Sequence, residues 1–116
     1  MTTPAIARLE KLLGTPRDGA LLQYSLGLEY AKAQVTEKAI EHFRHALATD
    51  AGYSAAWRAL GKALESAGRA SEALAVYRNG IAAAHAKGDK QAEKEMTVFA
   101  RRLEKQSLAP PPPAGD

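Results

Sequence analysis

The sequence contains no cysteine among its 116 residues. This absence excludes disulfides, thiolate metal sites and cysteine nucleophiles, and it fits a reducing compartment. No apolar run approaches the length of a membrane span, and the amino terminus lacks the basic-then-apolar pattern of a signal peptide. We therefore expect a soluble, cytoplasmic protein, and the chain length is that of one domain.

An excess of one charge is also missing. The net charge is only +3, and basic and acidic residues alternate along the chain. A nucleic-acid binder usually gathers its basic residues into one stripe, whereas here they are shared among several predicted helical faces. We expect neither a nucleic acid nor a membrane as a partner.

Residues that disfavour helices are scarce or confined. β-Branched residues are few, the six prolines lie in short connections and in the tail, and alanine and leucine abound. The pattern predicts six helices with short connections, so that neighbouring helices are antiparallel. The first helix is predicted from Thr3-Pro4 to Gly14, the second at about 20–33, the third at 37–49 and the fourth at 53–67. Thr36 is predicted to cap the third helix. The fifth helix is predicted from an N-cap at Ser71 to about Ala86, and Asp89 is predicted to cap the last.

Glycine inside a predicted helix is rare, and it recurs at a fixed distance. Gly27 and Gly61 are 34 residues apart, and the segments around them align, with Phe43 falling on Tyr77. Because glycine in a helix costs about 1 kcal/mol relative to alanine, each position needs a close neighbour. We predict two copies of a helical hairpin, in which Phe43 or Tyr77 fills the space beside the glycine.

These copies resemble the tetratricopeptide repeat (TPR) family, a 34-residue helix-turn-helix unit with the pattern W-x2-L-G-x2-Y, A-x3-F and a later Ala and Pro. The second copy carries Trp57, Leu60, Gly61, Leu64, Ala73 and Tyr77. The first carries Gln23, Leu26, Gly27, Tyr30, Ala39, Phe43 and Ala46. The closing proline is absent from both.

The resemblance implies an all-α fold in which antiparallel helical hairpins stack as a short right-handed α-solenoid. It divides the chain into an amino-terminal helix and turn (1–19), two repeats (20–53 and 54–87), a carboxy-terminal capping helix (88–107) and a disordered, proline-rich tail (108–116). Lys94 and Glu95 stand where a third repeat would have Leu-Gly, so the last helix is predicted to close the stack.

The resemblance also implies a concave groove that binds a peptide segment of a partner protein, with no catalysis and no cofactor. The family's inward-facing positions correspond here to Leu21, Tyr24, Leu28, Ala31, Ala55, Arg58, Lys62 and Glu65. Such a groove is apolar at one end and basic at the other. It would suit a partner with a hydrophobic anchor and a carboxylate.

Other interpretations of these groove residues remain open. Arg58 and Lys62 can simply be solvated, and Glu65 can pair with Lys62 or with Arg69. Tyr24 and Leu28 can pack instead against the amino-terminal helix, if that helix folds back into the groove.

Two rival functions have some support in the sequence. A homodimer could form through an exposed apolar face of a terminal helix, either Met96, Phe99 and Leu103 or Ile6, Leu9 and Leu13. His42 and His45, near Glu41, could share a metal, but a zinc enzyme needs a third protein ligand and a base, which nothing nearby supplies. We therefore expect no metal site and no enzymatic activity.

Overall fold

The computed structural model describes residues 2–108, and the predicted proline-rich tail lies almost wholly outside this range. Within it the chain forms six helices and no strand, which confirms the all-α fold. The helices are α1 (Pro4–Glu10), α2 (Ala20–Lys32), α3 (Thr36–Thr49), α4 (Ser54–Ser66), α5 (Ala70–Lys87) and α6 (Lys90–Leu108). None of the described helices is long and apolar enough to cross a membrane.

Two of the predicted N-caps are confirmed, and two are wrong. The Thr3 hydroxyl accepts from the Ile6 N–H at 3.1 Å, and the Asp89 carboxylate accepts from the Ala92 N–H at 3.2 Å. Thr36 and Ser71, in contrast, lie inside α3 and α5, where neither caps a helix.

The reason is the turn that precedes α3 and α5. Gln34 and Gly68 adopt left-handed backbone angles, with φ of 62° and 75°. The next N–H bonds back to the previous helix, from Val35 to the Tyr30 carbonyl and from Arg69 to the Leu64 carbonyl, both at 2.9 Å. Because this Schellman turn ends at Val35 and Arg69, the residues that directly precede α3 and α5, Thr36 and Ser71 fall in the first turn of each helix and not at its N-cap.

Gly27 and Gly61 each lie against an aromatic ring, as predicted. A Cβ atom added to Gly27 would overlap the Phe43 ring, and one added to Gly61 would overlap the Tyr77 ring. Both rings are almost fully buried. The glycines therefore let α2 approach α3, and α4 approach α5, at the distance that one ring fills.

A third glycine joins the second hairpin to the last helix. A Cβ atom on Gly80 would lie 2.5 Å from the Met96 sulfur and 2.7 Å from the Trp57 Cβ. Because Gly80 of α5 has no side chain, both α4 and α6 can contact α5 at this position. This contact makes the core continuous from the second hairpin to the last helix.

The apolar faces of the terminal helices are buried inside the monomer. Ile6 and Met96 are fully buried and Leu103 nearly so, while Leu9, Leu13 and Phe99 pack partly buried against the core. The expectation that these faces are exposed was therefore wrong. They offer no surface for the homodimer that was inferred from them.

Helix α1 lies against α2. Ile6 enters the core, and the Tyr30 hydroxyl donates to the Glu10 carboxylate at 2.6 Å. Leu21 and Leu28 of α2 remain exposed. Helix α1 therefore does not fill the groove.

Buried positions of α6 match those of α4 at a spacing of 36 residues, whereas the two hairpins match at 34. The buried residues of α6 that lie 36 positions after Ala56, Leu60 and Leu64 of α4 are Ala92, Met96 and Ala100. Helix α6 packs along α5 and reaches α4. It lies where the first helix of a further hairpin would lie.

Replacing Gly61 by alanine should destabilise the fold by about 1–3 kcal/mol, because the new methyl group overlaps the immobile Tyr77 ring. Helix propensity alone predicts the opposite, a gain of about 1 kcal/mol. Urea unfolding followed by circular dichroism at 222 nm distinguishes the two. Gly52→Ala is the control, since its nearest neighbour is an ordinary contact at 3.5 Å; a Gly61→Ala protein more stable than wild type would contradict the packing described.

Candidate functional site

The eight predicted groove residues lie on two helices that contact each other, α2 and α4. On α2, Leu21 is 68% exposed and Leu28 38%, and Ala31 is exposed. On α4, Lys62 is exposed, whereas Ala55, Arg58 and Glu65 are partly buried. The structure brings only some of them to one place.

A crevice between α2 and α4 gathers three of these residues. It has a volume of about 190 Å³ and is lined by Leu28, Ala31, Phe43, Ala59, Lys62, Ala63 and Ser66. The α4 side is formed by small side chains, so nothing fills the space above Phe43. We call this site the first crevice.

The corresponding crevice between α4 and α6 is filled. The Phe99 ring of α6 lies beneath Lys62, with the ammonium 4.2 Å from the ring centroid. Ion pairs stand on both sides of it, Arg58 with Glu95 and Glu65 with Arg102, both at 2.8 Å. The predicted basic end of the groove is therefore bound to the chain's own last helix.

A 36-residue register explains why one crevice is open and the other is closed. The α6 residues that follow Ala59, Ala63 and Ser66 by 36 positions are Glu95, Phe99 and Arg102. Long side chains thus replace three small ones at matching positions. Sequence reasoning missed this pairing because it carried the 34-residue period into α6.

The Tyr24 ring packs against two other aromatic rings. Its ring centroid is 5.0 Å from that of Tyr53 and 6.0 Å from that of Phe43. Burial raises the pKa of the Tyr53 hydroxyl. The Tyr24 ring is therefore partly covered by its aromatic neighbours and leaves little aromatic surface for a partner to contact.

Glu65 joins three helices. Its carboxylate accepts from the Tyr77 hydroxyl at 2.5 Å and pairs with Arg102. Burial, followed by this hydrogen bond, raises the pKa of Tyr77. Neither of the two expected partners of Glu65 is used: Lys62 lies over Phe99, and Arg69 binds Glu37 and Glu72.

Lys62 is the cation at the rim of the first crevice. It forms no ion pair with any of residues 2–108, and its side chain is exposed. Cation–π attraction to Phe99 holds the ammonium in place without neutralising it. The first crevice thus combines an apolar floor with one available positive charge.

The two histidines on α3 do not form a metal site with other residues. His42 Nδ1 is 2.8 Å from the Gln23 amide oxygen, and the ring stacks on Tyr30 with centroids 5.4 Å apart. Across residues 2–108, no three His, Cys, Asp or Glu side chains gather in a way that could hold a metal ion.

Burial lowers the pKa of the His42 imidazole. His45 and Lys38 act in the same direction, while Glu41 and Glu10 oppose them. The folded protein therefore favours the neutral ring.

Known proteins share both the sequence and this arrangement of helices. A TPR repeat-containing protein of Pseudomonas aeruginosa is 46% identical over 100 residues, which cover 86% of this chain and 95% of that protein. No family model matches the chain.

Among solved structures, that of a protein from Bordetella parapertussis is 40% identical, with a TM-score of 0.77 and 91% of each chain covered. A tetratricopeptide repeat domain protein from Salinibacter ruber is 24% identical, with a TM-score of 0.74; the match covers 84% of this chain and 98% of that one. This last likeness concerns the fold alone.

The His42 environment predicts a loss of stability in mild acid. Because the folded-state pKa lies below the unfolded value of about 6.5, the neutral ring's contribution is complete above pH 6.5 and is lost as the pH falls through the folded pKa. His42→Gln should make the urea midpoint less dependent on pH between 7.5 and 5.5. His85→Gln, at a side chain that is 77% exposed, is the control; equal pH dependence in wild type and His42→Gln would refute the assignment.

Proposed function

Because the chain belongs to the tetratricopeptide repeat family, whose members generally mediate protein–protein interaction, we propose that it is a non-catalytic adaptor that binds a peptide segment of a partner protein in its concave groove. The segment's anchor is an apolar side chain that enters the first crevice between α2 and α4. The fold provides the scaffold, and the function rests on this site.

The open first crevice is the observation that carries the proposal. Its floor is the Phe43 ring, its α4 side is made of Ala59 and Ala63, and Leu28 is exposed beside it. The matching space next to α6 is filled by Phe99, which supports an anchor of about that size. An apolar anchor that covers the exposed Leu28 side chain would gain about 25 cal/mol for each Å² of apolar surface it removes from water.

The charge at the rim selects the residue beside the anchor. Lys62 has no carboxylate partner within residues 2–108, so an acidic side chain or a terminal carboxylate of the segment completes it. Leu21 and Ala31 extend the apolar strip along α2, and Ala55 lies at the start of α4. In this proposal Arg58 and Glu65 have a supporting role, because their ion pairs hold α6 against α4.

Filling the first crevice should abolish binding. Ala63→Phe places a ring at the position that corresponds to Phe99, so the partner's anchor has no space. A segment captured from the native cell extract by the wild-type protein would be synthesised, and its Kd measured by calorimetry. We expect a loss of affinity of more than about tenfold, or 1.4 kcal/mol.

The control for this variant is Ala86→Phe, which makes the same change at an exposed position of α5. Circular dichroism checks that both variants remain helical. If Ala63→Phe binds the segment as tightly as the wild-type protein does, the segment does not bind in the first crevice.

Reversing the rim charge provides a second test that leaves the crevice open. Lys62→Glu should weaken binding of the same segment by about tenfold and should reverse its salt dependence, because repulsion between two carboxylates replaces the ion pair. Lys11→Glu makes the same charge change on an exposed residue far from the groove. If both variants bind equally well, attraction to the net charge explains the effect and Lys62 has no specific role.

A further inference from the structure

The outer face of α6 carries a row of cations that the chain does not neutralise. Lys90, Lys94, Arg101 and Lys105 are exposed and form no ion pair with any of residues 2–108. We call these four cations, together with the 58% exposed Val98 at their centre, the outer stripe. Spacings of 4, 8, 11 and 15 residues from Lys90 place all five on one side of the helix.

Two of the acidic residues of α6 are bound to neighbouring helices. Glu95 binds Arg58, and Glu104 binds Arg78 at 2.7 Å. Glu93 lies 3.2 Å from His85, at the edge of the stripe. The sequence predicts basic residues that are shared among several helical faces, and four of the sixteen lie together on this one.

Other helices of the stack cover the equivalent positions of α4. The residues 36 positions before Lys90, Lys94 and Arg101 are Ser54, Arg58 and Glu65. Ser54 is buried, and the other two are bound to α6. In α6, no described helix covers the same row, so the stack ends on a surface that is suited to one more helix.

A shallow depression of about 430 Å³ runs along the outer stripe. Thr97 and Val98 line it, together with His85 and Glu93. Thr97 occupies the position of Gly61 in the 36-residue register, and its hydroxyl donates to the Glu93 carbonyl at 2.7 Å. Because a β-branched residue stands where α4 has glycine, an aromatic ring cannot nest there, and a docking helix must be held by other contacts.

We propose that the outer stripe docks an acidic amphipathic helix of a partner protein. Four unneutralised cations over about 22 Å of helix match carboxylates that recur at the same spacing on a facing helix. Val98 receives one apolar side chain between them. This surface is separate from the first crevice, so a partner could use either surface or both.

The exposed row on α3 of a second copy of this chain does not match the outer stripe. This row alternates in sign, with Glu37, Lys38, Glu41 and Arg44 in succession. Docking it on the outer stripe would bring like charges together. The proposed occupant is a different protein whose docking face carries acidic residues only.

The test uses a designed probe and the full-length protein. The probe is an 18-residue helical peptide with glutamates spaced to match the four cations and a leucine opposite Val98. The comparison peptide has the same composition with its glutamates spread around the helix. Binding would be followed by fluorescence anisotropy and by amide chemical-shift changes in NMR spectra.

We expect the matched peptide to bind at least tenfold more tightly than the scrambled one, with the largest shifts at Lys94, Val98 and Arg101. Lys94→Glu with Arg101→Glu should lower that affinity at least tenfold. The control, Lys11→Glu with Arg17→Glu, makes the same change in net charge on exposed residues near α1 and should have little effect. All four positions are exposed, so circular dichroism should show intact helices.

Several results would overturn the proposal: equal binding of the two peptides, equal loss in the two double variants, or shifts located elsewhere. Tighter binding of a 16-base-pair DNA duplex, or of vesicles rich in phosphatidylserine, through Lys94 and Arg101 would assign the outer stripe to a different class of partner. Ala63→Phe should leave probe binding unchanged, so that failure of the groove proposal and failure of this one are distinguishable.

Discussion

The contact between a glycine and an aromatic ring sets the geometry of both hairpins. Phe43 against Gly27, and Tyr77 against Gly61, fix how closely the paired helices approach. The same rings reach the proposed binding surface, since Phe43 is the floor of the first crevice and Tyr77 holds Glu65 in its place between α4 and α6. A change in either contact would therefore move the walls of the groove as well as weaken the core.

Features governed by short-range spacing were predictable from the sequence. The six helices, the 34-residue repeat and the glycine–ring contacts all follow from residues whose neighbours lie within one hairpin. The caps at Thr36 and Ser71 failed for a local reason of another kind: the left-handed residues Gln34 and Gly68 close the turn through the backbone. Because position 34 is a glutamine and not a glycine, the sequence does not indicate the left-handed turn at this position.

The groove was predictable only in part, because its second half depends on register. Helix α5 has 18 residues where α3 has 14, and α6 starts correspondingly later. A shift of two residues along a helix rotates a side-chain position by about 200° around the helix axis. The 34-residue period aligns Glu95 with Gly61, whereas the 36-residue register aligns it with Ala59. With the register corrected, Phe99 falls on Ala63, which explains why Leu28 and Lys62 border an open space while Arg58 does not.

Thr97 stands where the glycine–ring contact of the hairpins would have to be repeated in α6. A further hairpin of the same design would have to push a Phe or Tyr ring onto its branched side chain, so neither a duplicated repeat nor a head-to-tail copy can extend the array in the same way. A helix that packs on α6 at this point must therefore lie farther from it than α5 lies from α4.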